Sequence, residues 1–435
     1  MGEFKQLLQA HWRRPAVVAA LLFAGAATAA GQTESILYAF QGGNDGYYPE
    51  IYPLVLDRAG NLYGTTTYGG GGNCSFPDST GCGMIYQLTP NPSGGSWTER
   101  TIWQFQGGAD GGIPSGLALR GDKLYGEAGF GGSGACPTGC GYIFELTPPA
   151  APGASWTKTP LFDFPTADAE CGVTAYDSAG NYYGVGPSAN GNGSICQLTP
   201  PHTLGGHWTE EILYVFKGVA PGQHLGDGSG PLGVTRDSHG NLWGATVDGG
   251  YCQLYEGGSC FGAIFRLTPP STAGGAWTES VVHRFANRDQ NPTSGLVMDK
   301  FGALYGVTYV ETYRFLGGAL TVIDPFPDTG YNARAPTGGV ILDSAGNVYG
   351  TTGAGGQFDD GTVYMLTPPA SGSGPWIQTI LHSFAAGTDG RNPEGPLTLG
   401  PGGVLFGTTQ VGGNQGCLGF QGDVPGCGTV FEIVP

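Results

Sequence analysis

A single carboxylate, Glu127, breaks the most regular pattern in this sequence. A glycine that follows an aromatic residue recurs along the chain, and the residue after that glycine is small or β-branched everywhere except at Glu127. If Gly121-Asp122 forms a turn, Glu127 pairs with about Gly116 and its carboxyl is partly enclosed. Enclosure raises the pKa of a carboxyl and suits it to act as a general acid. The structural alternative is that Glu127 pairs with Arg120, a lysine or backbone donors.

Two kinds of polysaccharide-cleaving chemistry are open to such a carboxyl. A glycoside hydrolase needs a second carboxyl about 5–10 Å away across the glycosidic bond, and Asp110 and Glu170 are the candidates for it. A polysaccharide lyase would instead use His224 or a tyrosine as the base. Arg288 or Arg334 would then neutralise the uronate of the substrate.

Motifs for other chemistries are missing from the sequence. It contains no nucleophile elbow in a strand–turn–helix setting, no phosphate-binding loop, no His-Glu-x-x-His and no Cys-x-x-Cys-His. We therefore expect no cofactor and no metal site. His283 and His382 take equivalent positions in two repeats, which indicates a structural role for both.

The candidate residues are embedded in seven repeats. The phrase Leu-Asp-x-x-Gly-Asn-Leu-Tyr-Gly is followed by a glycine-rich loop, Leu-Thr-Pro, Trp-Thr-Glu and an apolar run that ends in Phe. The glycines after the aromatic residue are 62, 58, 60, 62, 44 and 57 residues apart. They are Gly64, Gly126, Gly184, Gly244, Gly306, Gly350 and Gly407.

Each unit contains four short candidate strands bounded by Gly, Pro or Asn, a pattern that is typical of propeller blades. In the first unit they are Pro53–Asp57, Asn61–Thr67, Met84–Thr89 and Trp97–Phe105. The sequence therefore predicts an all-β fold, a seven-bladed β-propeller with four-stranded blades.

The two ends of the chain predict how the ring closes. The seventh unit stops after its third strand, Gly428–Pro435, whereas Thr33–Phe40 aligns without gaps to the complete fourth strand Thr209–Phe216. Lending the N-terminal strand to the last blade would remove unpaired strand edges. The alternative is an open solenoid of the same repeats.

The Asp-x-x-Gly-Asn-Leu-Tyr-Gly phrases, such as Asp57–Gly64 and Asp343–Gly350, resemble the GloVer-type tandem repeats of exported bacterial proteins. The resemblance covers about Thr33 to Pro435. It implies a propeller-like repeat protein and carries over no activity and no catalytic residue.

Residues that recur in most units are expected to be structural. An Asp before the first turn of a unit can accept backbone N–H groups, and a Trp that opens the fourth strand can pack blades together. Calcium binding and sugar stacking are the functional alternatives. These residues are Asp57, Asp177, Asp237, Asp299 and Asp343, and Trp97, Trp156, Trp208, Trp277 and Trp376. The Asp-Gly steps at Asp45, Asp110 and Asp389 are most simply turns.

The fifth unit is shortened. Its second strand is expected to end near Tyr309, and Thr312–Leu316 and Leu320–Phe326 take the places of its third and fourth strands. The lost loop would leave a notch in the upper rim, which is either a ligand cleft or neutral variation. The charged candidates in the neighbouring connections are His224, Asp227, Arg288, Asp289 and Arg334.

The N-terminus and the cysteines indicate export. Residues 1–30 have a positive leader, a short apolar run and a small-residue exit at Ala27-Thr28-Ala29, as in a signal peptide, so residues 31–435 form a single propeller domain. Ten cysteines predict disulfides in an oxidising compartment. The pairs by proximity are Cys74/Cys82, Cys136/Cys140, Cys171/Cys196, Cys252/Cys260 and Cys417/Cys427, and they are expected to pin loops.

Net charge narrows the partners. A formal charge of −17 repels phosphate backbones and anionic lipid, so we expect neither nucleic-acid binding nor membrane insertion. The sequence favours a secreted, extracellular or periplasmic monomer that binds a glycan or a cell-surface protein. A polysaccharide-cleaving hydrolase or lyase with its site on the upper rim, and a purely structural surface repeat protein, are the alternatives.

Overall fold

The architecture was analysed in a computed structural model, which describes most of the chain from Thr33 onward. The described residues are 33–76, 79–93, 95, 97–151, 153–167, 170–203, 206–253, 260–272, 274–286, 291–326, 334–417 and 426–435. The expected signal peptide and two of the binding candidates, Arg288 and Asp289, lie outside these ranges.

Seven antiparallel sheets form the blades of a β-propeller, as the repeats predict. The strands of each blade, innermost first, are these: Tyr47–Pro49 with Val55–Leu56, Leu62–Tyr68, Met84–Thr89, Thr98–Gln104; Gly112–Arg120, Lys123–Phe130, Tyr142–Thr147, Thr157–Asp163; Gly172–Tyr176, Tyr182–Gly186, Ser194–Thr199, Thr209–Val215; Ser229–Arg236, Leu242–Cys252, Cys260–Thr268, Thr278–Arg284; Val297–Met298, Leu304–Val307, Glu311–Leu316, Ala319–Pro325; Arg334–Leu342, Val348–Ala354, Thr362–Thr367, Ile377–Ser383; Thr398–Leu399, Leu405–Thr409, Thr429–Val434, Thr33–Ala39.

Few other elements occur in the described ranges. A two-stranded ribbon, Ser75–Phe76 with Ser79–Thr80, rises from blade 1, and the short 3-10 turns are Gly43–Asp45, Gly108–Asp110, Gly387–Asp389 and Pro401–Gly403. The described part of the chain contains no α-helix, and none of its elements is a helix long and apolar enough to cross a membrane.

The ring closes through the N-terminal strand. Thr33–Ala39 pairs antiparallel with Thr429–Val434, from Thr33 opposite Val434 to Ala39 opposite Thr429, so the first strand is the outermost strand of blade 7. Phe40 is fully buried beyond it and packs edge-on against Tyr86 of blade 1. The predicted closure is confirmed.

The recurring Asp residues hold the turn between the first two strands of a blade. In blade 6, Asp343 Oδ1 accepts the backbone N–H groups of Ala345 and Asn347, and Oδ2 accepts the Asn347 amide and the Tyr349 hydroxyl. Burial opposes ionisation of Asp343, but these hydrogen bonds outweigh it and lower the pKa of the carboxyl. The turn role expected for this Asp is confirmed.

The repeated glycine exists because an aromatic ring covers it. A Cβ on Gly350 would lie 2.6 Å from Cζ of Tyr364, a fully buried ring on the third strand of the same blade. Phe144 covers Gly126 and Phe431 covers Gly407 in the same way. Each blade thus fills its centre with a ring that only glycine can accommodate.

Tryptophans join neighbouring blades. Trp156 of blade 2 packs on Tyr63 of blade 1, and Trp376 of blade 6 packs on Tyr305 of blade 5, in both cases edge to face. The predicted blade-packing role is confirmed for these residues, and sugar stacking is not needed to explain them.

All five predicted disulfides are present, and one does more than pin a loop. Cys171 enters the innermost strand of blade 3, and Cys196 lies on the third strand, where other blades carry the covering ring. A Cβ on Gly184 would lie 3.2 Å from Cys171 Sγ, so the disulfide fills the space of the ring. Disulfides indicate maturation in an oxidising compartment.

Blade 5 has the short connection expected from its sequence. Leu304–Val307 and Glu311–Leu316 are joined by three residues only, and Thr308 N–H donates to the Glu311 carbonyl. The upper rim therefore lacks a loop at this blade.

Candidate functional site

Glu127 lies on the second strand of blade 2, opposite Ser115 of the innermost strand. The pairing is one residue away from the expected Gly116, because Gly116 has a φ of +60° and the register shifts there. The Glu127 residue is only 6% exposed and lines a cavity of about 20 Å³. The carboxyl is thus more enclosed than the sequence indicated.

The Glu170 carboxyl is the neighbour of Glu127. Glu170 stands just before the innermost strand of blade 3, and its side chain is in hydrogen-bond contact with Glu127. Burial, and then the charge and hydrogen bond of Glu170, raise the pKa of Glu127 to about 8. The pair therefore holds a proton at neutral pH.

Arg120 does not neutralise this pair. Its Nη1 donates to the Gly180 carbonyl, and its guanidinium lies over the rings of Tyr176 and Tyr182. The alternative partner considered for Glu127 is engaged elsewhere, so the proton takes the place of a cation.

Three further polar side chains lie beside the pair. Tyr52 interacts with the charges of Glu127, Glu50 and Glu170, and its hydroxyl hydrogen-bonds to Ser115. Burial, followed by these carboxylates, raises the pKa of Tyr52 to about 12. We call Glu50, Tyr52, Glu127, Glu170 and Glu394 the channel mouth, because innermost strands line the axis of a propeller.

Glu394 is linked to the others through Tyr48. Burial and then the Glu394 charge raise the pKa of Tyr48 to about 12, with Tyr68 and Glu50 contributing. The Tyr48 hydroxyl donates to Gln410 of blade 7 at 3.1 Å. The mouth thus spans blades 7, 1, 2 and 3.

The sequence reasoning missed Glu50 and Glu394, although a signal was present. Both follow a proline at the same position of their units, Pro49-Glu50 and Pro393-Glu394, where other units have Pro114-Ser115 or Pro336-Thr337. Tyr52 has no such signal, because it lies in a break of the innermost strand between Pro49 and Val55.

A row of aromatic rings borders the mouth on its upper side. Tyr48 contacts Tyr68 with ring centroids 6.1 Å apart, Tyr68 contacts Phe76 at 5.4 Å, and Phe76 contacts Phe130 at 6.5 Å. All four rings are half-buried, and Phe76 lies in the ribbon above blade 1. We call these four residues the aromatic band.

Asp110 is not part of the mouth. Its carboxylate accepts the Lys158 ammonium and the Gln106 backbone N–H, and its carbonyl accepts the Tyr142 hydroxyl. Lys158 belongs to the outermost strand of blade 2. These contacts give Asp110 the turn role that was its simplest interpretation.

His224 and Asp227 lie in the connection between blades 3 and 4. Asp227 accepts the Tyr214 hydroxyl at 2.7 Å and the Lys217 N–H, and it lines an open groove of about 490 Å³. His224 is exposed, with Nδ1 3.0 Å from the Cys252 carbonyl oxygen. Arg334 begins the innermost strand of blade 6.

Comparisons with known proteins concern the fold alone. PorZ, a surface component of the type-IX secretion system of Porphyromonas gingivalis, is 15% identical with a TM-score of 0.46, over 85% of this chain and 46% of PorZ. This chain spans about half the length of PorZ. No protein-family model matches the chain, and no curated protein matches it as a relative.

Two other solved structures are similarly distant. A protein of unknown function from Dyadobacter fermentans is 11% identical with a TM-score of 0.41, over 93% of this chain and 100% of its own. A Trypanosoma rangeli sialidase is 11% identical with a TM-score of 0.37, over 93% of this chain and 59% of its own.

Proposed function

We propose that this protein is an exported binding propeller that holds a glycan at the channel mouth, against the aromatic band. The observation that carries the proposal is the contact between a row of half-exposed rings and a group of carboxyls on one rim. A sugar presents an apolar C–H face and several hydroxyls, and these two surfaces complement both.

The aromatic band supplies the stacking surface. Rings bury large apolar areas at a small loss of side-chain freedom, so they are well suited to bind flat ligands. Tyr48 and Tyr68 sit next to the carboxyls of Glu50 and Glu394, and the band continues outward to Phe76 and Phe130. A ligand that lies across the band would reach the mouth with one end.

The carboxyls supply hydrogen-bond acceptors. Glu50 is fixed by the Thr67 hydroxyl at 2.8 Å and remains half-exposed, while the Tyr52 ring is 44% exposed. Ionised carboxylates accept two or more hydrogen bonds each, and bonds to charged groups are the strong ones. Ligand hydroxyls or an amino group are the donors that match this set.

Cleavage of a glycosidic bond is less well supported by this geometry. The two carboxyls of a glycosidase stand at least about 5 Å apart, so that the bond or a water fits between them. Glu127 and Glu170 are in hydrogen-bond contact, and Glu127 is buried. The pair is suited to hold a proton and fix the mouth.

The test is a glycan array followed by calorimetric titration of the best binders. Phe76→Ala removes a ring of the band without touching a blade core, and binding is expected to weaken by about 10-fold, since loss of a stacked ring costs on the order of 1 kcal/mol or more. The matched control is Phe301→Ala, a 76% exposed ring at the opposite rim, which should leave binding unchanged.

Two outcomes would contradict the proposal. Either no oligosaccharide binds the wild-type protein at millimolar concentration, or binding is the same in Phe76→Ala and in wild type. Release of reducing ends from a polysaccharide, abolished in Glu127→Gln, would replace the binding function by the enzyme alternative.

A further inference from the structure

One side-chain cluster at the closure of the ring has no role in the channel mouth. Glu34, His382 and Asp389 each offer one ligand atom, and these atoms all lie within 4.8 Å of one another. His382 Nε2 is 3.1 Å from Asp389 Oδ1. Glu34 comes from the N-terminal strand, His382 from the outermost strand of blade 6, and Asp389 from the turn that leaves that blade.

The same three positions recur at other blade boundaries, with different chemistry. Between blades 7 and 1 they are Tyr38, Asp45 and Glu99, and between blades 3 and 4 they are Tyr214, Asp227 and Glu279. In both cases the Tyr hydroxyl donates to the Asp. Only His382 brings a nitrogen ligand into such a cluster at the boundaries that the structure describes.

The boundary between blades 1 and 2 shows what this position accepts. There Lys158 replaces the glutamate, and its ammonium contacts Asp110 and lies 4.9 Å from the centroid of the Trp103 ring. The Lys158 side chain is 6% exposed. A positive charge is therefore built into the position where the other boundaries carry a second carboxyl.

At the closing boundary the corresponding positive charge is missing. The Oε1 atom of Glu34 is buried and accepts no hydrogen bond from the described residues. A buried carboxylate oxygen without a donor is costly, so a ligand that supplies positive charge would be favoured.

We propose that Glu34, His382 and Asp389 bind a divalent cation of the Zn²⁺ type, which clamps the N-terminal strand to blade 6. One imidazole and two carboxylates suit first-row transition metals, whereas Ca²⁺ prefers oxygen ligands alone. Three protein ligands leave a coordination position for water. The cysteines do not compete for the metal, because all ten are in disulfides.

The experiment uses the exported chain with its disulfides intact, stripped of metal with EDTA. Calorimetric titration with ZnCl₂ is expected to show one site per chain, and Zn²⁺ is expected to raise the Tm while Ca²⁺ does not. A cation that binds only the folded state stabilises it by mass action. Co²⁺ in the same site gives a visible spectrum that reports the ligands directly.

Two variants separate the metal site from the fold. His382→Tyr restores the Tyr–Asp contact of the other boundaries, so the protein should fold, but its Zn²⁺ affinity should fall by about 10-fold or more, since even partners of ligands cost that much. Glu34→Lys copies the Lys158–Asp110 pair and is expected to raise the Tm without metal and to abolish the Zn²⁺ response.

The matched control is Glu279→Gln, which changes the equivalent carboxyl at a boundary that carries Tyr214 instead of His. It should bind Zn²⁺ like the wild type. The proposal is overturned if the wild-type protein shows no stoichiometric Zn²⁺ binding, or if His382→Tyr binds Zn²⁺ as tightly as the wild type does.

Discussion

The Glu127 carboxyl makes a pH dependence measurable at a single residue. Its pKa is about 8 in the folded protein and 4.5 in an unperturbed chain, so between these values the folded state binds one proton more than the unfolded state. Its stabilising contribution is complete below about pH 4.5 and is lost as the pH rises through 8, by up to about 1.4 kcal/mol per pH unit. Glu127→Gln keeps the shape and a hydrogen-bond donor toward Glu170, so we expect the free energy of unfolding to fall less steeply between pH 5 and pH 8.

The measurement is the Tm of both proteins across this range. A residual slope is expected in the variant, because burial also raises the pKa of Glu99, Glu210 and Glu279 to about 7. Glu145→Gln is the control, since its pKa is lowered, despite burial, by Lys123 and other hydrogen bonds, and the wild-type slope should remain. Equal slopes in wild type and Glu127→Gln would refute the shared proton.

At the residue scale, the sequence predicted single anomalies better than their surroundings. Glu127 stood out because six other repeats supply a control for its position, and Glu170 was named as one of two partners. Tyr52 could not be found in this way, because its place at the axis depends on a local break of a strand and not on a repeat position. Which loop residues reach a common space is a three-dimensional property that spacing alone does not determine.

The glycine beneath each blade ring gives a prediction at the scale of the element. In Gly350→Ala the new methyl overlaps the Tyr364 ring, which is fully buried and cannot move outward. We expect a loss of about 1–3 kcal/mol, as for other overpacked cores, seen as a lower Tm. Gly295→Ala is the control, because its Cβ would meet no atom closer than 3.6 Å. An unchanged Tm in Gly350→Ala would mean that the ring is not a fixed part of the blade.

The disulfide of blade 3 should matter more than those in the upper loops. Cys171 and Cys196 are separated by 25 residues, against 4 for Cys136 and Cys140. Loop-closure entropy alone gives about 3–4 kcal/mol for the first bond and about 2 kcal/mol for the second. Cys171→Ala with Cys196→Ala also empties the centre of its blade, so its Tm should fall further than that of Cys136→Ala with Cys140→Ala. The reverse order in calorimetry would contradict the core role.

The pairing of these cysteines followed from their proximity in sequence, but the place of one bond did not. All five were expected to pin loops, and Cys171–Cys196 instead joins the first and third strands inside a blade. The missing step was to notice that Cys196 occupies the ring position held by Tyr86, Phe144 or Tyr364 elsewhere. Aligned units thus carry packing information that a search for disulfide spacing overlooks.

At the scale of the whole molecule, the repeat count and the chain ends were enough to predict the ring. Seven units and a missing fourth strand leave one closed arrangement in which every blade has four strands, and that arrangement is found. Closure follows from local pairing rules, whereas the ligand depends on side chains that differ from blade to blade. The fold was therefore more predictable than the site.

Removal of the N-terminal strand tests the ring as a unit. A chain that lacks residues 33–40 loses the partner of Thr429–Val434 and the buried Phe40 and Leu37, so blade 7 is left with an unpaired edge. Such edges pair with other chains, and we expect oligomers in size-exclusion chromatography with light scattering. A synthetic peptide of residues 33–40 should add back as a strand and restore the monomer, while the same peptide with Leu37→Asp should not. A truncated chain that stays monomeric with an unchanged Tm would show that closure contributes nothing to the stability of the propeller.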